Sequence, residues 1–259
     1  MAGKLPKTKI RQIGLARALS KLGYCSRSQA SALIRAGRVT LNGSERRDPE
    51  TPTRLERDQI KVDGQSVSSA QKLYFIMNKP RGLVTTASDE KGRDTIYSLF
   101  GGKPNSWVAP VGRLDKASEG LLLLTNDSEW GATIAAPETH LPKTYHVQMK
   151  GVVTESDAQP MLRGLQVDGD SLRAQSVRLL RTGEKNCWLE ITLDEGKNRQ
   201  IRRMLAALGF EVLRLIRVSI GPLQLAELAK GTYRPLTIDE KLALDGAIAP
   251  RGKKARCTI

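Results

Sequence analysis

The sequence predicts an α+β protein with two domains: a small basic N-terminal domain and a larger domain built on a mixed, largely antiparallel sheet. Positive charge is concentrated at the start, since residues 1–70 hold 14 Lys and Arg against 6 Asp and Glu, whereas residues 71–245 hold 24 against 21. Beyond residue 72, short apolar segments of strand length outnumber helical segments and do not alternate regularly with them, which disfavours a parallel βαβ fold.

The N-terminal domain is predicted to contain two helices followed by a small hairpin. Apolar residues at helical spacing indicate a first helix over residues 14–21, which Gly23 ends. Ser26 and, three residues later, Gln29 form a capping-box signal for a second helix, which Gly37 ends. Two strand-like segments each lead into a hairpin turn: residues 38–41 before Asn42-Gly43, and residues 58–62 before Asp63-Gly64.

The larger domain is predicted from apolar runs and amphipathic segments. Strands are expected over residues 73–77, 121–125, 144–149, 174–180, 187–193 and 213–218, and helices over residues 157–163 and 198–208. The small polar stretch 66–71 has the composition of a linker. We therefore expect one domain over residues 11–67, a second over residues 72–245, and basic flexible tails at 1–10 and 246–259.

Composition narrows the class of partner. The 259 residues carry a net charge of +15, an excess that favours binding to a polyanion such as nucleic acid. The chain lacks an N-terminal signal peptide pattern and any apolar stretch of membrane-spanning length, so a cytoplasmic location without membrane attachment is expected.

Cofactor and metal chemistry are not expected. The three cysteines, Cys25, Cys187 and Cys257, are scattered without a CxxC pair and are predicted to be reduced thiols. The two histidines, His140 and His146, are too few for a histidine-rich metal centre, and a structural role is expected for them. Walker, GxGxxG and GxSxG motifs are absent, which argues against nucleotide cofactors and serine-hydrolase chemistry.

Three charged segments next to apolar structure are candidate site elements, and one of them is KTYHV, residues 143–147, where a lysine opens a strand that carries Tyr145. In the run VGRLDKASEGLLLLTND, residues 111–127, a loop with Arg113 and Asp115 leads into four leucines that read as a buried strand. In the run EGKNRQIRRM, residues 195–204, an amphipathic helix begins, and its first turn suits an anion. Lys197 and Arg199 could serve phosphate there, while an arginine on the inner flank could pair with Asp115.

The N-terminal run GYCSRSQASALIRAGRVTLNG, in its helix–helix–hairpin context, resembles the S4 RNA-binding domain. The resemblance covers residues 11–67. It implies that Ser26, Arg27, Arg35 and Arg38 face structured RNA. The alternative for these arginines is an ordinary solvated helix face.

Three blocks of the larger domain, VGRLDKASEGLLLLTND, KTYHV and EGKNRQIRRMLAALGFEVLRLIRVSIGPL, resemble in this order the bacterial ribosomal-RNA pseudouridine synthases that carry an S4 domain. The residues KPRG at 79–82 resemble the opening turn of that catalytic domain. The resemblance implies isomerisation of uridine to pseudouridine in RNA without cofactor or metal. One departure is Ala117, where relatives often carry a polar or acidic residue.

The resemblance also implies residue roles. The essential aspartate falls on Asp115, the active-site tyrosine on Tyr145, and the basic residue that pairs with the aspartate on Arg202. A packing leucine falls on Leu215, with Ile216 as an adjacent possibility. Substrate contacts are expected from a further set: Arg113, Lys143, Lys197, Arg199 and Leu215.

Several alternatives stay open at this stage. Asp115 could be a structural cap paired with Arg113 or Lys116, and Glu119, four residues later, could suggest a glycosidase carboxylate pair. The whole chain could be a non-catalytic RNA-binding or ribosome-assembly factor. The expected partner is ribosomal RNA or a ribosomal assembly intermediate, and the chain is expected to be a monomer.

Overall fold

The computed structural model describes residues 12–86, 92–101 and 107–249. Of these, residues 12–73, 107–109 and 126–129 form one compact unit, and the others form a second. The predicted α+β class is confirmed. Residues 1–10, predicted as a tail, and Cys257 lie outside the described residues.

The first unit contains the predicted helix–helix–hairpin order. Its elements are β1 (Ile13–Gly14), α1 (Leu15–Lys21), α2 (Arg27–Arg35), β2 (Val39–Leu41), β3 (Ser44–Arg46), β4 (Pro52–Thr53), β5 (Ile60–Val62) and β6 (Gln65–Ser66). Strands β3-β2-β5-β6 form one sheet in that order. The predicted capping box is present, because the Ser26 hydroxyl accepts from the Gln29 N–H while the Gln29 side chain accepts from the Ser26 N–H. Asn42 and Gly43 both have positive φ, 53° and 82°, as a type I′ hairpin turn requires.

The second part of the chain is built around one large sheet. Its strands are β7 (Tyr74–Lys79), β8 (Ala109–Val111), β9 (Glu119–Thr125), β10 (Lys143–Lys150), β11 (Leu165–Val167), β12 (Asp170–Leu172), β13 (Ser176–Thr182), β14 (Asn186–Leu193), β15 (Val212–Ile220), β16 (Leu223–Gln224) and β17 (Tyr233–Pro235). The helices are α3 (Ser128–Ala135), α4 (Glu155–Arg163), α5 (Gln200–Ala207) and α6 (Ile238–Ile248), with short 3₁₀ helices at Ile96–Phe100 and Pro137–Thr139.

The strand order along the main path of the sheet is β13-β14-β10-β15-β9-β7-β17. All of these neighbours are antiparallel except β15 and β9, which run parallel, so the predicted mixed and largely antiparallel sheet is confirmed. At the parallel join, Gly120 has φ 100°, and a Cβ on it would lie 2.3 Å from the backbone oxygen of Arg217. Only glycine fits there.

Two apolar clusters cover the sheet and hold its strands in place. One lies between α4, α5 and the strands β10, β14 and β15, and includes Met161, Ile201, Met204 and Leu205. The other joins α6 and the residues at the end of α3 to β7 and β9, and includes Leu121 and Leu123 of the four-leucine run. All four of those leucines are fully buried, as the sequence predicted.

The C-terminal end differs from the prediction. Helix α6 runs to Ile248, so residues 246–248 of the predicted tail belong to a helix. Thr237 and Glu240 form a capping box at its start, and Arg234 binds Glu240 through two hydrogen bonds of 2.7 Å. These caps and the burial of Leu244 explain why the helix persists beyond the expected boundary. Residues 250–259 lie outside the described residues.

In the described parts of the chain, no helix is both long and apolar enough to cross a membrane.

Candidate active site

A cavity of about 940 Å³ in the second unit brings together the three charged sequence blocks. Its walls come from the loop before β9, from the start of β10, and from the segment that leads into α5. Seven residues predicted for the site line it: Arg113, Asp115, Lys143, Tyr145, Lys197, Arg199 and Leu215. Segments far apart in sequence therefore meet around Asp115.

The fully buried Lys79, the last residue of β7, holds the loop that carries Asp115. The Lys79 ammonium donates to the backbone oxygens of Pro80, Asp115 and Ser118 at 3.1, 3.2 and 3.0 Å. The Thr85 hydroxyl donates to the backbone oxygen of Leu114 at 2.7 Å. Backbone carbonyls on both sides of the Asp115 side chain are thus fixed, which leaves its carboxylate to face the cavity.

Burial lowers the pKa of Lys79 to about 8, against the opposing attraction of Asp115 and then of Glu119. The sequence contains no functional signal for this lysine other than its place in KPRG, which resembles the opening turn of the family's catalytic domain. Its inward position on β7, after the buried Ile76 and Met77, is the pattern that could have indicated a buried cation.

The ion pair on Asp115 comes from Arg199, whose Nη1 lies 3.5 Å from Oδ2. The expectation that Arg202 makes this pair is wrong in this structure. Arg199 is the N-cap of α5 and has φ 48°, a left-handed conformation uncommon for a residue with a side chain. Such strain is concentrated at functional positions, and here it accompanies a guanidinium that reaches the carboxylate.

Arg202 acts on the backbone of the same loop. Its Nη2 donates to the backbone oxygen of Ala117 at 3.2 Å, and its Nε is buried without a hydrogen-bond partner in the described structure. Burial, and then the nearby Arg199, lower the pKa of Arg202, while Asp115 raises it. Arg202 therefore lies close to the carboxylate without pairing with it.

The apolar and aromatic wall of the cavity is made by β10 and β15. Tyr145 is half-buried and lies directly opposite Arg217 in the antiparallel register of these strands. Leu215, 7% exposed, lies two residues before Arg217 and lines the same cavity. The adjacent possibility Ile216 packs in the other apolar cluster, so Leu215 is the residue that faces the site.

Lys143 and Lys197, both on the cavity wall, differ in their burial and in their contacts with other residues. Lys143 is partly buried, and its pKa is lowered by burial and then by Arg217. Lys197 donates to the backbone oxygen of Ser171 at 2.6 Å and lies 3.4 Å from a Glu195 carboxylate oxygen. Its side chain therefore anchors the segment before α5 as well as lining the cavity.

The carboxylate pair that suggested a glycosidase, Asp115 with Glu119, is not formed in the cavity. Glu119 lies on β9, is 2% exposed, and binds Arg214 at 3.0 and 3.1 Å and Lys230 at 2.5 Å. Burial raises its pKa, but the hydrogen bonds from these two cations outweigh burial and lower it. Glu119 does not line the cavity among the described residues, so it cannot form a catalytic pair with Asp115 there.

In the first unit, the four residues predicted to face RNA have different environments. Arg27 and Arg35 are exposed on α2. Ser26 caps α2, and Arg38 pairs with Asp63 through hydrogen bonds of 2.8 and 2.5 Å. Ser26 and Arg38 therefore already have structural partners, whereas Arg27 and Arg35 present their charge to solvent.

Other candidate chemistry lies outside the cavity. His146 hydrogen-bonds Glu190 at 3.2 Å, and Cys25 and Cys187 are free, buried thiols. Burial raises the pKa of Cys25 to about 11, which makes it unreactive. Within the residues that the structure describes, no three His, Cys, Asp or Glu side chains are grouped so as to hold a metal ion.

A basic helix–hairpin module thus precedes a domain whose cavity places several cations around Asp115, an arrangement that suits an enzyme acting on RNA. Comparison with known proteins gives the family. Residues 73–207 match the RNA pseudouridylate synthase family model, and residues 13–60 match the S4 domain model. The chain belongs to the RNA pseudouridylate synthase family and carries an N-terminal S4 domain.

Individual relatives are similar in sequence to this chain over nearly its whole length. Ribosomal large subunit pseudouridine synthase B of Bacillus subtilis is 35% identical over 243 residues, which span 93% of this chain and 98% of that protein. An uncharacterized RNA pseudouridine synthase of Aquifex aeolicus is 37% identical over 238 residues, 92% of this chain and 95% of that one. A crystal structure of a pseudouridylate synthase has a TM-score of 0.62 at 32% identity and covers 90% of this chain and 99% of its own. The predicted enzyme class is confirmed.

Proposed function

We propose that this enzyme converts a specific uridine of ribosomal RNA to pseudouridine, with Asp115 as the nucleophile. The single observation that carries the proposal is the position of Asp115: its carboxylate faces the cavity while its own backbone is fixed by Lys79. The ribosomal substrate is supported by the name of the Bacillus subtilis relative, ribosomal large subunit pseudouridine synthase B.

The reaction needs a carboxylate that stays ionised and is held still. Arg199, whose Nη1 lies 3.5 Å from Oδ2, forms an ion pair with the Asp115 carboxylate and restricts its position. An ionised carboxylate can attack either the sugar or the base, and the fixed loop keeps it aligned with the bound nucleotide. Arg202 supports this alignment through the backbone of Ala117. Arg202 is thus proposed as a positioning residue, in place of the pairing role expected from the sequence.

Tyr145 and Leu215 form the surface against which the base would rest. A uridine stacked in RNA cannot reach Asp115, so it must be extruded into the cavity, as enzymes that act on bases require. The half-buried Tyr145 ring can stack on the extruded base, and its hydroxyl can help move the proton from carbon five. The exposed Arg113 at the rim suits the flanking phosphates, together with Arg199.

The S4 domain supplies sequence-independent affinity. Arg27 and Arg35 on the exposed side of α2 can contact RNA phosphates and so release counterions. Deleting residues 1–65 should therefore weaken RNA binding and flatten its dependence on salt. An unchanged salt slope would show that the S4 domain does not contribute to RNA binding.

The prediction that the protein is a monomer can be checked by light scattering on the same samples.

The decisive experiment uses Asp115→Asn, which keeps the size of the side chain. Pseudouridine formation in ribosomal RNA should vanish, whereas RNA affinity should stay within about twofold, because the contacts that give affinity lie elsewhere. The control is Asp239→Asn, an exposed carboxylate in the first turn of α6, which should be fully active.

The target is found by mapping pseudouridines in ribosomal RNA from cells with and without the gene. Loss of one or a few sites without the protein, restored by the wild type and not by Asp115→Asn, supports the proposal. Restoration by Asp115→Asn would exclude Asp115 as nucleophile. If wild-type and deletion cells have the same pseudouridines in ribosomal RNA, the ribosomal substrate is wrong.

A further inference from the structure

Arg217 is a buried arginine of β15 on the wall of the cavity, and neither the sequence pattern nor the proposed mechanism gives it a role. It is 5% exposed. Its Nε donates to the backbone oxygen of Leu121 at 2.7 Å, which fixes the guanidinium beside β9. Its Nη2 is buried and has no hydrogen-bond partner in the structure as described. A buried charged donor without a partner is costly, and such groups call for an explanation.

The neighbours of Arg217 indicate what kind of group would satisfy it. Tyr145 lies directly across from it on β10, and Leu215 lies on the same strand and the same face. Lys143 is a second cation close enough for Arg217 to lower its pKa. An aromatic ring, an aliphatic side chain and two cations therefore surround one part of the cavity, which fits a flat ligand that carries hydrogen-bond acceptors and gains negative charge.

Of the parts of a bound nucleotide, the base fits this position better than the phosphate. The phosphates belong to the RNA backbone and stay near the rim, where Arg113 and Arg199 are accessible. The extruded base is the part that reaches into the cavity and lies against Tyr145. Its two carbonyl oxygens are the acceptors that a guanidinium N–H can satisfy.

We propose that Arg217 donates a hydrogen bond to a carbonyl oxygen of the extruded pyrimidine and stabilises the negative charge that builds there during the reaction. This inference rests on the proposed function. In the isomerisation the bond from N1 to the sugar breaks with its electron pair on the base. Carbon five then bonds the sugar and loses its proton, and N1 takes up a proton. Attack on the sugar or on the base places transient charge on the carbonyl oxygens in either case, where a fixed cation acts most strongly.

The test compares two RNAs that differ only at the target position, one with the uridine and one with an abasic sugar. Both are bound to Asp115→Asn and to the double variant Asp115→Asn/Arg217→Gln, so that no turnover occurs. The preference of the enzyme for the uridine RNA over the abasic RNA should fall roughly 10- to 100-fold in the double variant, while affinity for the abasic RNA stays the same. In the active background, Arg217→Gln should lower kcat more than it raises KM.

A phosphate contact or a merely structural role would weaken binding of both RNAs equally and leave the preference unchanged, and that result would overturn the proposal. Because Arg217 also binds Leu121, Arg217→Lys is made in parallel; it keeps the charge and should retain part of the preference. The matched control is Arg181→Gln, an arginine that stacks over Trp188 outside the described cavity wall, which should leave the preference intact. An inactive wild type on every ribosomal RNA would instead refute the proposed function.

Discussion

Replacing Lys79 by Met tests whether the buried ammonium holds the Asp115 loop. The ammonium donates to three backbone carbonyls, and Met leaves these carbonyls without their donor. Each unsatisfied buried acceptor costs about 1–3 kcal/mol. Against this, burial has moved the pKa of Lys79 from 10.5 to about 8, so removing the charge recovers about 3 kcal/mol. The three acceptors together cost about 3–9 kcal/mol, so the net destabilisation is about 0–6 kcal/mol, and at its midpoint most molecules stay folded.

The loss of activity should be larger than the loss of stability suggests. One of the three carbonyls belongs to Asp115, the proposed nucleophile, and misplacing a reacting group by about 1 Å can cost about 100-fold in rate. We therefore expect the Lys79→Met enzyme to unfold at a lower urea concentration and to lose about 100-fold in kcat under conditions where it is folded. Urea denaturation and single-turnover pseudouridine formation measure the two quantities.

The control is Lys150→Met, an exposed lysine at the end of β10, which should match the wild type in both assays. A folded Lys79→Met variant with a wild-type rate would refute the idea that this lysine positions Asp115. A rate that falls only in proportion to the folded fraction would refute it equally, because the ammonium would then serve stability alone.

Three further predictions concern the sheet, α6 and the S4 domain. Gly120→Ala should destabilise the fold by about 3 kcal/mol more than Gly82→Ala. Both glycines have φ near 100°, but only at Gly120 would the added Cβ collide with backbone atoms. The difference between the two denaturation midpoints therefore measures the steric collision apart from the strain of positive φ. The arginine partner of Glu240 lowers its pKa from 4.5 to about 2, so its contribution is complete above pH 4.5 and disappears as the pH falls towards 2. Glu240→Gln should thus cost about 1–2 kcal/mol at neutral pH and much less near pH 2, and equal costs at both pH values would contradict this. Arg27→Gln and Arg35→Gln should each reduce the salt slope of RNA binding by about 1, and an unchanged slope would show that the residue makes no phosphate contact.

Much of the fold follows from local sequence because the relevant signals are local. The Ser26 capping box, the Asn-Gly turn and the buried four-leucine run each depend on residues close together in the chain, and each is found as predicted. Two of the elements that the sequence did not predict depend on distant partners. Strand β17 exists because it pairs with β7, about 150 residues earlier, and α6 persists because its apolar side packs on the sheet.

The members of the site were predicted better than their contacts. Asp115, Tyr145 and Leu215, which the family resemblance implied as site residues, come from three separate sequence blocks and line one cavity. Lys79 and Arg217 could not be found in this way. Both are cations on inward positions of strands, where propensity and hydropathy predict apolar residues, and only the tertiary structure shows the carbonyls that receive their hydrogen bonds.

The exchange of roles between Arg199 and Arg202 has a conformational cause. The sequence predicts that the helix includes both arginines, which would fix their directions about the helix axis by periodicity. The helix instead begins at Gln200, and Arg199 adopts left-handed φ immediately before it. Arg199 therefore does not follow the helical periodicity, and its side chain reaches the Asp115 carboxylate. Arg202 follows that periodicity and donates to the carbonyl oxygen of Ala117. One arginine then pairs with the carboxylate and the other fixes the backbone that carries it. These are separate tasks, and they explain why two arginines of the third block, three residues apart, lie close to one aspartate.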